Sequence, residues 1–221
     1  MTAFVARTLT RADIEHVDGP ATLTECTLDG IDLSDLDLSG WVFERCTFPG
    51  ASFSGAVLEG AIFKTCRASG ARFLGTDLQE AEIEGGDFSN TDLRGATLSS
   101  ARISRAKMTG ADLSDVRAVA FELEDVLLSL AVLTKVSFRK MTLKHVDFSE
   151  ADMTSCDFRD AVFEDCSLRN ARLEACGFEG ADLRGADLGG VTLTDARRFK
   201  GAVISKGQAA DLLGQLGLRV V

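Results

Sequence analysis

Residues 181–190 read ADLRGADLGG, which is two consecutive copies of a five-residue unit with leucine at its centre. Stepping by five from Leu183 in both directions gives one continuous pattern from residue 21 to residue 200, and 33 of its 36 central residues are Leu, Phe, Ile or Met. The exceptions are Ala68, Ala118 and Arg198. The residue two positions before each centre is usually small, as at Ala51. A repeat kept over this length determines the architecture of the chain.

A period of five matches neither the period of an α-helix nor that of a simple strand. The core-facing residue must therefore return once per side of a larger coil. We expect each pentapeptide to form a short extended piece followed by a turn, with successive coils hydrogen-bonded as in a parallel sheet at a rise of ~4.8 Å. Of the 21 glycines, 13 lie two positions after a centre, where a turn needs a positive φ.

If four sides close each coil, residues 21–200 form about nine coils of 20 residues. The central residues then fall into four columns that define the sides. Side one contains Leu23, Phe43 and every twentieth residue onward. The columns that begin at Leu28, Leu33 and Leu38 define sides two, three and four.

Four features depart from the most regular form of the repeat. Residues 1–20 carry it one residue out of phase, which predicts an imperfect first coil or a cap. Residues 111–176 hold the phase without a single glycine, so we expect their turns to take a different conformation, one that non-glycine residues tolerate, and this half of the rod to differ locally in shape. At Ala118 the centre is small and the bulky Phe121 follows, which predicts compensating volume because empty core space is costly. In residues 201–221, Ser205 is placed to cap a short helix over residues 206–215.

Composition bounds the class of protein. The net charge of −10 disfavours direct binding to nucleic acid or to an anionic membrane surface. No apolar run is long enough to span a bilayer, and the N-terminus lacks the apolar segment of a signal peptide, so we expect a soluble cytoplasmic protein.

The cysteines occupy the small position before a centre, which predicts buried, reduced thiols. They are Cys26, Cys46, Cys66, Cys156, Cys166 and Cys176.

The sequence gives little support for catalysis. It contains two histidines, His16 and His145, no tyrosine, no HExxH or CxxC motif and no glycine-rich phosphate loop. Carboxylate pairs occur at Glu82/Glu84 and Glu122/Glu124, but the repeat places both members of such pairs on the solvent side. We therefore expect no enzyme activity, no cofactor and no metal site.

The charges suggest a binding surface. Side one carries ten acidic and six basic residues, side four carries seven of each, and sides two and three are acidic. B-DNA has one charge per ~1.7 Å of its axis, which is a higher density than a net charge of −10 gives to a rod of nine coils. Mimicry of a duplex would therefore have to be local, over one or two sides. The alternative is that acidic repeats only keep a repetitive β protein soluble. We name seven residues of side one the acidic stripe: Glu44, Glu82, Glu84, Glu122, Glu124, Asp125 and Glu164.

The repeat resembles that of the pentapeptide-repeat family, whose signature is A(D/N)LXX. The resemblance implies an all-β fold, a right-handed quadrilateral parallel β-helix, ending here in a short C-terminal helix. Within the family the chain is most similar to the MfpA and Qnr group. The similarity lies in the segment SLAVL at 129–133, in FKGAVI at 199–204, in QA at 208–209 and in LGL at 216–218. The unbroken phase of residues 21–200 resembles the MfpA type, which lacks projecting loops.

This resemblance implies a function and a partner. Proteins of the group protect DNA gyrase and topoisomerase IV from fluoroquinolones and other poisons, so we expect a DNA mimic that binds a type II topoisomerase. Two alternatives stay open: an interaction scaffold for another partner, and a self-immunity protein of an antibiotic producer.

The resemblance also implies a role for residues 201–221. In similar proteins the C-terminal end both caps the coil and joins two subunits, so the apolar residues there predict a homodimer in addition to a lid. The expected interface residues are Phe199, Leu212, Leu213, Leu216, Leu218 and Val220.

Overall fold

The computed structural model describes residues 2–192, 196–215 and 217–219. Its largest element is a nine-stranded parallel sheet in which each strand pairs with the next one along the chain. The strands are β1 Thr2–Val5, β2 Ala21–Thr24, β3 Val42–Glu44, β4 Ile62–Arg67, β5 Glu82–Asp87, β6 Arg102–Ser104, β7 Glu122–Glu124, β8 Thr142–Lys144 and β9 Val162–Glu164. Two further strands, β10 Cys166–Ser167 and β11 Ala186–Asp187, form a second parallel pair. The helices are α1 Arg11–Ile14, a 3-10 helix Ala196–Phe199 and α2 Lys206–Gly214.

The nine-stranded sheet is side one, and the other sides repeat with the same step. Phe43 pairs with Phe63 in the sheet. Single parallel bridges join Thr27 to Thr47 on side two, Asp32 to Ser52 on side three and Asp37 to Val57 on side four. Because all four sides advance by 20 residues, the chain is a four-sided parallel β-solenoid of about nine coils. The repeat predicted the solenoid, and the family resemblance implied its four sides. The predicted short C-terminal helix is also confirmed as α2, with Ser205 as its N-cap.

The core is a single apolar column built from the pattern centres. Phe43 and Phe63 stack with their ring centroids 4.8 Å apart, and Phe53 and Phe73 stack at 5.0 Å. All four rings are buried. These distances equal the spacing of hydrogen-bonded strands, so each ring rests directly on the ring of the next coil.

The corner residue of the turns keeps a positive φ with or without glycine. At Gly30 φ is +64°, and the amide of Ile31 donates to the carbonyl of Leu28 across the corner. In the glycine-free region the same corner position has φ +60° at both Leu130 and Lys140. The expectation of a different turn there is wrong. Ladder hydrogen bonds fix the corner backbone in each coil, as in the 2.9 Å bond from the amide of Leu130 to the carbonyl of Ser149.

The aspartate that precedes many centres has a structural role. The carboxylate of Asp37 accepts the amide of Ser39 at 3.0 Å, and that of Asp152 accepts the amide of Thr154 at 3.0 Å. Such bonds close a local turn across the central residue. The hydroxyl and the amide of Ser39 also lower the pKa of Asp37. These side chains therefore remain ionised while they stabilise the turns.

The six cysteines are buried and free. The thiol of Cys66 donates to the carbonyl of Phe43 at 3.2 Å. Burial raises the pKa of Cys66 to about 12 and that of Cys46 to about 11. These thiols therefore stay protonated and unreactive at neutral pH.

The N-terminal residues form a first coil with a short helix in it. Phe4 pairs with Leu23, so the pairing step here is one residue shorter than the regular step of 20. This difference is the phase shift seen in the sequence. Phe4, Leu9 and Ile14 are all buried. Helix α1 carries Ile14 into the core, and its N-cap Thr10 forms a capping box with Asp13.

The last coil contains one extra residue, which the sequence pattern did not predict. The amide of Phe178 donates to the carbonyl of Arg198, and the ring of Phe178 stacks on Phe199 at 4.8 Å. Phe199, and not the expected centre Arg198, therefore continues the aromatic column. The added residue lets the 3-10 helix place an apolar ring where a guanidinium would otherwise be desolvated.

The coils separate locally at the irregular position near Ala118. The ring of Phe121 is buried 5.7 Å from Phe138, so it supplies the expected volume. Among the described residues, β7 and β8 pair only through Glu124 and Lys144, and no bridge joins Arg117 to Ser137 on side four. Sides two and three keep their bridges at this level. We call this gap, between residues 117–123 and 137–143, the open junction.

Candidate partner-binding surface

All seven residues of the acidic stripe lie on side one or at its corner, but cations alternate with them. Along one column of the sheet Glu44 pairs with Lys64, which pairs with Glu84. Farther along the same column Glu124 pairs with Lys144 and Lys144 with Glu164. The stripe is therefore a mixed row of charges and not a continuous row of carboxylates.

Ion pairs reduce the exposed charge of the stripe further. Arg102 contacts Glu122 at 2.8 Å, Arg105 contacts Glu84, and Arg45 contacts Glu44. These side chains are exposed, so each pair contributes little to stability. In the described part of the chain, Glu82, Glu124 and Glu164 have no cation within 4.0 Å. They are the stripe residues with the most available charge.

Asp125, the corner residue of the stripe, contacts a histidine. Nδ1 of His145 lies 2.9 Å from Oδ1 of Asp125, and Nε2 lies 3.6 Å from Oδ2 of Asp165. The histidine and both aspartates occupy the same corner of successive coils. Within the described residues no group of His, Cys, Asp and Glu is arranged to hold a metal ion.

A more concentrated acidic surface lies where side four meets side one. In its first four regular coils side four carries acidic residues and no lysine or arginine. We call this surface the acidic corner patch: Asp37, Glu59, Asp77, Glu80 and Glu82. Four of the five are exposed and Asp77 is half-buried. None of them forms an ion pair with another described residue within 4.0 Å.

The spacing of the acidic corner patch is close to that of DNA. Asp37, Val57 and Asp77 are bridged in successive coils, and the other three residues lie beside this column. Five carboxylates thus fall within little more than two coil steps of 4.8–5.0 Å. Counted along the rod axis, this is about one charge per 2–3 Å. The value lies between that of duplex DNA, one charge per ~1.7 Å, and that of a single strand, one per ~3.4 Å.

Sequence reasoning missed the acidic corner patch because it counted the charges of a whole side. Side four has equal numbers of acids and bases, but its bases all follow residue 116, beginning with Arg117 and Arg139. The order of charges along the chain was the signal available. Side four is therefore negative in its first half and positive in its second.

The C-terminal segment closes the last coil. The side-chain amide of Gln208 donates to the carbonyls of Leu183 and Ala186, at 2.7 Å each. Gln215 donates to the carbonyl of Val191 at 2.9 Å. These bonds satisfy backbone carbonyls at the end of the rod, where no further coil follows to donate amides to them. Helix α2 therefore acts as a lid.

The predicted dimer residues divide between the core and the surface. Phe199 stacks on Phe178, and Leu212 is 8% exposed. Leu213 and Leu218 are exposed, at 38% and 56%. Leu216 and Val220 lie outside the described residues. Two further apolar residues that were not among the predicted interface residues, Val203 and Ile204, are also exposed at this end.

Comparison with known proteins gives one family and a consistent set of structures. A model described as Pentapeptide repeats matches in eight copies, at residues 26–64, 66–95, 76–115, 122–160 and 156–195. No curated protein sequence matches the chain. Among the described residues no helix is both long and apolar enough to cross a membrane.

The similar solved structures include three of QnrB1, described as a plasmid-mediated fluoroquinolone resistance protein. One trypsin-treated form has a TM-score of 0.60 and 25% identity and covers 100% of this chain and 98% of its own. A second trypsin-treated form has a TM-score of 0.57 at 24% identity, with the same coverage. The full-length form has a TM-score of 0.54 at 24% identity and covers 98% of each chain.

Proposed function

The chain belongs to the pentapeptide-repeat family, and from that premise we propose that it is a non-enzymatic DNA mimic of the cytoplasm. Its partner would be a type II topoisomerase, DNA gyrase or topoisomerase IV, which it would protect from fluoroquinolone-type poisons. The observation that carries the proposal is the acidic corner patch, five carboxylates on a narrow rod that form no ion pair within 4.0 Å among the described residues. The likeness to QnrB1 over the whole chain supports it.

The proposed mechanism is competition for a DNA-binding surface. A topoisomerase surface that holds DNA is basic, and it would accept the acidic corner patch through electrostatic complementarity. The stripe residues Glu124 and Glu164 would extend the contact along side one. Occupation of that surface would reduce the enzyme–DNA complex on which a poison acts.

A supercoiling assay tests the proposed function directly. With purified DNA gyrase, relaxed plasmid and a fluoroquinolone, we expect the protein to restore supercoiling in a dose-dependent manner and to reduce drug-stabilised cleavage. Unchanged supercoiling by gyrase, together with unchanged drug-stabilised cleavage by both gyrase and topoisomerase IV, would refute the proposal. Capture of a different protein would then favour the scaffold alternative.

We also propose that the protein is a homodimer through its C-terminal end. The exposed apolar residues Val203, Ile204, Leu213 and Leu218 lie on the last coil and the segment that covers it, and burial of such surface is the usual driving force for association. A tail-to-tail arrangement would place the two acidic corner patches toward opposite ends of the dimer.

Light scattering tests the dimer. We expect a mass of twice 23.6 kDa for the wild type and a monomer for the double variant Leu213→Asp/Leu218→Asp. The matched control is Val5→Asp/Leu74→Asp, which also replaces two exposed apolar residues but lies far from the C-terminal end. A monomeric wild type, or a monomeric control variant, would contradict the assignment.

A further inference from the structure

A strained and exposed leucine lies on the edge of the rod opposite the acidic corner patch. Leu130 has φ +60° and is 57% exposed. Positive φ is unfavourable for any residue with a branched side chain, and exposure of a large apolar group adds a second cost. In the sequence, the same corner of the other regular coils holds glycine, asparagine or glutamate.

Leu130 does not stand alone. Leu127, on the same side of the same coil, is 45% exposed. The coil before it presents Gly110 at the corner, which has no side chain to cover Leu130. The two leucines therefore form an apolar patch in the middle of the rod, which we call the leucine patch. It coincides with the SLAVL segment.

The surroundings of the leucine patch indicate the kind of partner. Leu127 is bridged to Lys107 on one side and to Asp147 on the other. Lys107 lies 3.9 Å from Asp87, so its charge is partly offset. Glu150 follows Leu130 in the corner column and is exposed. Two leucines beside uncompensated carboxylates suit a protein surface with an apolar recess and a nearby cation, and not a polyanion.

We propose that Leu130, supported by Leu127, is an anchor that enters an apolar recess of the protein partner. This inference rests on the proposed function, and it adds a second contact on the diagonally opposite edge of the rod from the acidic corner patch. A partner that contacts both edges must enclose the rod and not only touch one face. A few buried apolar anchors commonly dominate the affinity of an interface.

The test separates stability from binding. In Leu130→Gly the backbone strain is removed, so we expect the melting temperature to rise by about 2–4 °C. Removal of the anchor should weaken binding to immobilised, purified DNA gyrase by at least about tenfold. The conservative variant Leu130→Met should keep wild-type binding.

The matched control is Ala175→Gly. Ala175 is also an exposed corner residue with φ +60°, so its replacement relieves the same strain without removing a large side chain. We expect a similar rise in melting temperature and unchanged binding.

Three results would overturn the inference. Equal binding of gyrase by the wild type and by Leu130→Gly would remove the anchor but leave the proposed function intact. A change of oligomeric mass in Leu130→Gly would assign the leucine patch to a second copy of the chain. If the wild type binds neither gyrase nor topoisomerase IV, the anchor and the proposed function both fail.

Discussion

We expect the Gly86→Ala variant to lose about 3–5 kcal/mol of unfolding free energy, because it combines backbone strain with a contact that no side-chain movement can relieve. Gly86 has φ +98°. A Cβ atom there would lie 2.7 Å from the amide nitrogen of Cys66 and closer still to its carbonyl oxygen. Cys66 and Gly86 are paired in β4 and β5, so the clash would force two coils apart.

Equilibrium denaturation in urea measures this loss, with Gly70→Ala as the control. Gly70 has φ +68° and open space around the Cβ position, so alanine there should cost only about 1–2 kcal/mol for the left-handed backbone. Equal losses in the two variants would show that the close approach to Cys66 does not contribute.

The second large effect concerns the acidic corner patch. We expect the double variant Glu80→Lys/Glu82→Lys to raise the concentration needed for half-maximal protection of gyrase by about 100-fold, because like charges brought together at an interface cost several kcal/mol. Both side chains are exposed and neither forms a described ion pair, so the fold should be unaffected. The supercoiling assay with a fluoroquinolone measures the change, and circular dichroism checks the fold.

The control for charge is Asp115→Lys/Glu174→Lys, which changes the net charge by the same amount on another part of the rod. Asp115 and Glu80 both occupy corners with positive φ. Asp115 also lies beside Lys135, at 3.7 Å, much as Glu82 lies beside Arg102 in the sheet. If both double variants lose protection equally, net charge and not the acidic corner patch governs the interaction.

The sequence was sufficient to predict the fold because a solenoid makes the same contact in every coil. Each centre, such as Phe53 or Phe73, needs only to be apolar, and the four sides implied by the family resemblance then give the 20-residue pairing. What the pattern could not give is the detail that depends on two coils at once. The open junction near Phe121 and the extra residue that brings Phe199 under Phe178 both involve packing between neighbouring coils.

The candidate site was predictable only in part, for the same reason. The sequence placed Glu84 and Glu122 on one face, and the structure agrees. It could not show that Arg105 and Arg102 would contact them, because the repeat places residues about 20 apart in neighbouring coils but does not determine the conformation of exposed side chains. Nor did a total for each side reveal that Glu59 and Glu80 lie together without a cation.

The open junction makes the rod easier to bend in one direction than in another. Sides two and three are continuous at this level, whereas sides four and one are joined there by few hydrogen bonds. In a solenoid each layer is held only by its neighbours, so a lateral force would widen the gap and curve the axis toward the intact sides. A straight column could then follow the walls of a curved channel while every layer stays folded.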